Sequence, residues 1–158
     1  MDALAKKTSS PKISGNRTFL FILAVLWAVS IAFASVANAE TKTKGDLVKE
    51  AKAIITEISA QQVYADFKAD KAVVLLDVRT SNEFTNGHLP GAVNVPRGLL
   101  EFKIEKMVPD RSTPIVIYCA VGGRGSLATT SLMEMGYTNV KNMEAGYKGW
   151  RAEKLPTF

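Results

Sequence analysis

The chain has 158 residues, which is enough for one domain with a single apolar core and too short for two domains of ordinary size. It carries 20 basic and 15 acidic residues, and no basic stripe with interleaved aromatic residues indicates a nucleic-acid partner. The single cysteine excludes an internal disulfide bond.

The first 39 residues have the pattern of an export signal. Four basic residues precede the charge-free apolar stretch 19–37, and Ala37-Asn38-Ala39 supplies the small residues that a signal peptidase accepts. We expect cleavage after Ala39 and a periplasmic or other extracytoplasmic location. An uncleaved anchor facing outside the cytoplasm is the alternative, because about 20 residues span a bilayer. A membrane contact is expected only in that second case.

Export also bears on the lone thiol. An idle cysteine in an oxidising compartment is open to mixed-disulfide formation and oxidation, so its presence there favours a function. The mature chain would carry 16 basic and 14 acidic residues, and most of the net charge of +5 therefore belongs to the leader.

Residues 40–57 read as a polar tether followed by an amphipathic helix. Apolar residues recur at helical spacing over residues 47–58, and we expect this helix to lie on the core of its own domain. Ser59 followed by Gln62 resembles a capping box, which predicts a second helix through Phe67.

Apolar runs and helical patterns alternate through the rest of the chain. Four runs predict buried strands, over residues 72–78, 92–95, 115–118 and, more weakly, 139–143. Two helical patterns lie between them, over residues 98–107 and 126–135. This alternation predicts an α/β domain with a mostly parallel sheet covered by helices on both faces. A ligand site is then expected beyond the carboxyl ends of the strands.

Cys119 directly follows the third of these runs and opens a glycine-rich turn ahead of a helix. Glycines let the backbone bend so that its N–H groups point inward, and a helix N-terminus adds partial positive charge. We expect this cradle to keep Cys119 ionised and reactive at neutral pH. The alternative is a buried structural cysteine followed by an ordinary turn. The cradle is assigned to Ala120, Val121, Gly122, Gly123, Arg124 and Gly125, with Arg124 adding to the field or receiving an anionic substrate.

The length of this loop distinguishes two chemistries. Four residues separate Cys119 from Arg124, whereas a cysteine-dependent phosphatase loop of the same general type has five. The shorter ring of amides suits one sulfur atom on the cysteine and is too tight for a tetrahedral phosphate. Sulfur transfer is therefore favoured over a small cysteine phosphatase or arsenate reductase.

Three separated segments resemble the rhodanese family over about residues 58–155: LLDVRTSNEFTNGHLPGAVNVP, IVIYCAVGGRGSLA and GYTNVKNMEAGYKGW. The resemblance implies a five-stranded, mostly parallel sheet flanked by helices, and a persulfide on Cys119. It also implies a sulfurtransferase that takes sulfane sulfur from a small donor such as thiosulfate or a persulfide. The acceptor would be cyanide or a thiol, including a cysteine of a partner protein, with no metal or organic cofactor. A sulfur-carrier or protein-binding module with little turnover is the alternative.

The first segment also holds three residues with expected supporting roles. We expect Asp77 to brace the loop, by pairing with Arg124 or by accepting backbone hydrogen bonds, and Arg79 to hold Glu83 or the next loop. A Cys-His catalytic pair is conceivable for His88, the only histidine. Its position in a turn flanked by glycine and proline favours a structural hydrogen bond instead.

One position departs from the family pattern. Many relatives place serine right after the loop arginine, whereas this chain has Gly125 there, followed by Ser126. A hydroxyl that would cap the helix or bond the persulfide is displaced by one position, and an altered donor preference or rate is expected. Tyr147 and Trp150 are expected to pack over the last helix or to border the site.

Overall fold

A capped helix opens the part of the chain that this computed structural model describes, residues 41–158. The Thr43 hydroxyl accepts a hydrogen bond from the Asp46 N–H at 3.3 Å, and the Asp46 carboxylate accepts one from the Thr43 N–H at 2.9 Å. This capping box begins helix α1, Lys44–Ile54. The predicted leader lies outside the described residues. Within residues 41–158 no helix has both the length and the apolar character needed to cross a membrane.

Helix α1 is shorter than its apolar pattern predicts. It ends at Ile54, and Thr56–Ile58 forms strand β1 at the edge of the sheet, paired with the last strand. The prediction of a helix through residue 58 was wrong, because the β-branched residues of this stretch suit an extended backbone that gains a pairing partner. As expected, α1 packs on its own domain: it contacts the helix that follows Cys119, and Lys42–Phe158 form one compact unit.

Strands and helices alternate along the rest of the chain. In order, they are α2 Ala60–Lys68, β2 Val74–Asp77, α3 Ser81–Thr85, β3 Val93–Asn94, a 3-10 turn Arg97–Leu99, α4 Leu100–Met107, β4 Ile115–Tyr118, α5 Gly123–Glu134, β5 Val140–Met143 and α6 Gly146–Ala152. The five strands are parallel, in the order β1-β5-β4-β2-β3. The predicted α/β class and the parallel sheet are confirmed.

The sheet is buried on both faces. Successive side chains of β4 point to opposite faces, so Ile115 and Ile117 pack with helices α4 and α5, whereas Val116 and Tyr118 pack with α2 and α6. Trp150 of α6 is buried in the second of these layers and donates its indole N–H to the Pro156 carbonyl at 2.8 Å. Crossover helices on both faces leave the carboxyl ends of β2 and β4 as the edge where loops meet.

Candidate active site

Cys119 is the first residue after β4, at the carboxyl end of a central strand. It continues the alternation of that strand, packs in the same apolar layer as Ile115 and Ile117, and is only 1% exposed. The predicted position at the strand end is confirmed. The thiol is therefore almost completely shielded from solvent in this structure.

The carbonyl groups of the loop are held by the helices on either side. The Cys119 carbonyl accepts the Tyr147 N–H at 2.7 Å, and the Ala120 carbonyl accepts the Lys148 N–H at 3.0 Å. The Gly122 carbonyl accepts the Ser126 N–H at 2.8 Å. Because C=O and N–H point in opposite directions across a trans peptide, these bonds turn the following N–H groups away from the same helices.

Within residues 41–158, the N–H groups of the loop have no hydrogen-bond acceptor. Gly122 has a φ of +94°, which glycine tolerates, and it caps α5, so that the N–H groups of residues 123–125 belong to the open first turn of that helix. Across residues 120–125 no N–H donates to a backbone carbonyl of the described chain. A loop with six free main-chain donors next to a cysteine is able to hold a negatively charged sulfur.

The loop arginine forms an ion pair with Glu83. The Arg124 guanidinium donates to the two carboxylate oxygens of Glu83 at 2.9 and 2.7 Å. Arg124 and the cap contacts with Thr80 lower the pKa of Glu83 to about 2, and the bond to Glu83 raises the pKa of Arg124. Of the two partners expected for Arg79, Glu83 or the next loop, Glu83 is therefore not one, because it binds Arg124. Arg124 is consequently anchored to α3, and two of its donors are engaged.

Asp77 and Arg79 form a buried pair of their own. Arg79 donates to the Asp77 carboxylate from its side chain at 2.6 to 3.0 Å and from its backbone N–H at 2.9 Å. Its guanidinium also donates to the Gly87 carbonyl at 2.7 Å. Of the two contacts expected for Asp77, the pairing with Arg124 is absent, because Arg124 binds Glu83, and the backbone hydrogen bond is present, donated by the Arg79 N–H. Arg79 does hold the next loop, as expected, through Gly87.

Two tyrosines enclose this pair. The Arg79 guanidinium carbon lies 4.1 Å from the centre of the Tyr147 ring and 5.6 Å from that of Tyr118. Burial, followed by the Asp77 charge, raises the pKa of Tyr118, whose neutral hydroxyl accepts the Leu89 N–H at 3.3 Å. The Asp77 and Arg79 cluster therefore braces the ends of β2 and β4 below the loop.

His88 has a structural role in this fold. Its Nδ1 lies 3.0 Å from the Phe84 carbonyl, and its ring stacks on that of Phe84 at 3.8 Å. Its backbone exchanges two hydrogen bonds of 3.0 Å with Phe158. The expected structural hydrogen bond is confirmed and is made by Nδ1.

Two residues near the loop were not singled out by the sequence. Gly146 has a φ of +54°, and a Cβ there would overlap with the Cys119 carbonyl oxygen and lie 2.8 Å from the Val121 nitrogen. Asn142 is fully buried and bonds to Ser126 at the start of α5. Both lie in the third segment quoted above, but their partners are distant in the chain, and no local pattern indicates the contacts.

Two further features of the described residues bear on where a ligand could bind. Among residues 41–158 no cluster of three or more potential metal-binding side chains occurs. A small cleft between Val63, Phe67 and Lys71 lies against Leu75 and Val116. Those last two side chains belong to the opposite face of the sheet from Cys119, so the cleft is separate from the thiol.

Comparison with known proteins identifies the class. The profile of the Rhodanese-like domain matches residues 59–153, and the chain belongs to that family. A sulfurtransferase of Allochromatium vinosum is 31% identical over 103 residues, which cover 65% of this chain and 94% of that protein. A chloroplastic thiosulfate sulfurtransferase of Arabidopsis thaliana is 40% identical over 92 residues, covering 52% and 77% of the two chains.

A solved structure supports the same fold. It is that of a protein of unknown function from Rhodopseudomonas palustris, described as a possible tyrosine phosphatase. It superposes with a TM-score of 0.69 at 28% identity and covers 75% of this chain and 96% of that one.

Proposed function

We propose that this protein is a sulfurtransferase that carries sulfane sulfur as a persulfide on Cys119. The observation that supports this most directly is that the N–H groups of residues 120–125, beside the one cysteine, have no acceptor in the described part of the chain. Main-chain donors in fixed positions stabilise a negative charge at the point where it forms. The terminal sulfur of a persulfide carries that charge.

The first step loads the cysteine. The Cys119 thiolate attacks the outer sulfur of a donor such as thiosulfate or a small persulfide, and the sulfur–sulfur bond of the donor breaks. Sulfite or a thiolate leaves with the electron pair of that bond. The new sulfur is then bonded to Cys119 and faces the N–H groups of the loop.

The second step unloads it. Cyanide, a small thiol or a cysteine of a partner protein attacks the outer sulfur, and the Cys119 thiolate leaves. One sulfur atom has moved from donor to acceptor, and the enzyme returns to its starting state without a net change of oxidation. The scheme uses no metal or organic cofactor.

In this cycle Arg124 offers hydrogen-bond donors from a fixed position and adds little net charge. Its bonds to Glu83 leave the remaining guanidinium donors for an approaching anion. The charge of the pair is close to neutral, so the main-chain N–H groups provide most of the stabilisation of a bound sulfur. A donor is therefore selected by its outer sulfur more than by its net charge.

Steady-state kinetics tests the proposal. The wild-type protein is expected to form thiocyanate from thiosulfate and cyanide with ping-pong kinetics, and to transfer sulfur from a small persulfide to a thiol, whereas Cys119→Ser does neither. Equal turnover by Cys119→Ser, or faster hydrolysis of phosphoesters than transfer from any sulfane donor, would refute it. A single loading event without repeated turnover would instead indicate a sulfur carrier.

A further inference from the structure

Asn142 connects the far edge of the sheet with the loop that carries Cys119. It lies on β5, is fully buried, and donates both hydrogens of its side-chain amide. One goes to Glu57 of β1 at 2.8 Å and the other to the Ser126 hydroxyl at 3.2 Å. Glu57 precedes residues 59–153, so this contact involves a part of the chain outside the family match.

Ser126 continues this connection into the loop. Its hydroxyl donates to the Gly122 carbonyl at 3.0 Å, and its N–H donates to the same carbonyl at 2.8 Å. Gly122 is the residue with the φ of +94° at which the loop turns into α5. Asn142 thus fixes the hydroxyl that in turn fixes the Gly122 peptide.

The orientation of the Asn142 amide is determined by its partners. A carboxylate accepts hydrogen bonds and donates none, so the amide nitrogen must face Glu57. The amide oxygen then faces Gly125 and has no hydrogen-bond partner among the described residues. Buried polar atoms without a partner are uncommon. An amide kept only for stability is expected to have both of its ends bonded.

The same contact explains the departure of this chain from the family pattern. A Cβ at Gly125 would overlap with the Asn142 amide oxygen and lie 3.3 Å from its side-chain carbon. Serine at this position is therefore incompatible with the amide as it stands. Gly125 and Asn142 therefore depend on each other: because Gly125 has no side chain, the loop leaves room for the Asn142 amide of the sheet.

We infer that Asn142 is a positioning residue, which holds the Gly122 peptide and its N–H neighbours in the arrangement that loading of Cys119 requires. This inference rests on the proposed sulfurtransferase function. Asn142 acts through Ser126 and touches no reacting atom. Gly125 serves the same end by providing the space.

Pre-steady-state loading of the full chain with a small persulfide tests this inference. Asn142→Ala and Gly125→Ala are each expected to lower the maximal loading rate by at least about tenfold, with little change in the donor concentration at half-saturation. The double variant should load faster than Gly125→Ala alone, because removal of the amide relieves the overlap. Glu57→Gln, whose amide oxygen still accepts, should load close to the wild-type rate, and Glu57→Ala should be slow.

Tyr137→Phe is the matched control, since it removes a buried hydrogen bond of 2.7 Å to the Val108 carbonyl, away from the loop. It should lose stability and keep the wild-type loading rate. The inference is overturned if Asn142→Ala loads at the wild-type rate, or if all variants, including Tyr137→Phe, slow in proportion to their loss of stability.

A second readout separates this inference from the proposed function. Methyl methanethiosulfonate modifies a thiolate without any sulfane donor, and Cys119 is the single cysteine, so the rate of modification reports the ionisation and accessibility of this thiol, both of which depend on the loop. Slower modification of Asn142→Ala than of wild type supports the positioning role even if no persulfide forms. Equal modification rates together with normal loading in both proteins refute it while leaving the proposed function intact.

Discussion

The carboxylate of Glu83 fixes the position of the Arg124 guanidinium and engages two of its donors. It holds two donors of Arg124 and at the same time closes the capping box of α3 with Thr80. The side chains of both ion-pair partners are more than a third exposed, so solvent screens their attraction. The pair consequently orients the loop more than it stabilises the fold.

The contribution of this ion pair to stability should depend on pH, and replacement of Glu83 by glutamine should reveal it. Glutamine also serves in a capping box, so Glu83→Gln removes mainly the charge. The pKa of Glu83 is lowered from 4.5 to about 2, so the stability that this group contributes is present above pH 4.5 and is lost as the pH falls through 2. We expect a difference in unfolding free energy of about 1 kcal/mol at pH 7 that shrinks toward pH 2.

Urea denaturation at several pH values measures this difference. Glu134→Gln, at an exposed position of α5, is the control and should differ little from wild type at any pH. A Glu83→Gln difference that stays constant from pH 7 to pH 2 would show that the ion pair is not its source.

The buried pair below the loop should behave differently. Arg79→Leu leaves the fully buried Asp77 carboxylate without its guanidinium, and loss of one member of a buried pair typically costs about 3–5 kcal/mol. Lys71→Met, which removes an exposed pair with Asp66, should cost no more than about 1 kcal/mol. Chemical denaturation measures both losses of stability. Equal losses for Arg79→Leu and Lys71→Met would contradict a larger contribution from the buried pair.

Among the secondary-structure elements, α6 supports the loop from behind. Its first turn donates two N–H groups to the carbonyls of Cys119 and Ala120, and Gly146 lets the two backbones approach closely. This contact fixes the side of the loop opposite to the free N–H groups. The position of α6 is therefore part of the site.

A methyl group at Gly146 should disturb this contact. Gly146→Ala introduces both an overlap with the Cys119 carbonyl and a left-handed φ for a non-glycine residue, which together should destabilise the protein by about 2–3 kcal/mol and slow Cys119 modification. Gly98→Ala is the control, because a Cβ there would have no atom of residues 41–158 within 4 Å. Thermal unfolding and thiol modification should show no effect for Gly98→Ala, and a similar result for Gly146→Ala would contradict the account.

The elements differ in how far the sequence predicts them. Strand β4 lies where its apolar run predicts, because a strand buried on both faces needs a continuous run of that kind. Strand β1 was missed, since three residues at a sheet edge are defined by pairing with β5 and not by their own pattern. Helix α5 begins at Gly123 rather than at residue 126, because loop glycines give no helical signal although their free N–H groups open the helix.

Contacts between segments that are distant in the chain also limit what the sequence predicts about the site. Cys119, the loop and Arg124 are contiguous, so motif and spacing identify them. The partners of the loop come from α3, β5 and α6, and a sequence pattern does not determine which carboxylate meets which guanidinium. For this reason Glu83 was left as one of two possible partners of Arg79 and was not assigned to Arg124, and Asn142 and Gly146 were not singled out.

At the level of the whole molecule, we propose that the domain acts after export. The pattern of residues 1–39 supports this, and a thiol that carries sulfur outside the cytoplasm would work where idle thiols are oxidised. Expression of the full chain in a bacterial host, followed by N-terminal sequencing, should give Glu40 as the first residue in the periplasmic fraction. A product that starts at Met1 in the membrane fraction would support an anchor instead.

The central claim is that Cys119 carries one additional sulfur atom, and intact-mass spectrometry tests it most directly. After treatment with thiosulfate or a small persulfide and removal of the donor, the wild-type protein should gain about 32 Da, the mass of one sulfur. Cyanide should remove this gain, and Cys119→Ser should never acquire it. An unchanged wild-type mass with every donor, or the same gain in Cys119→Ser, would contradict the account.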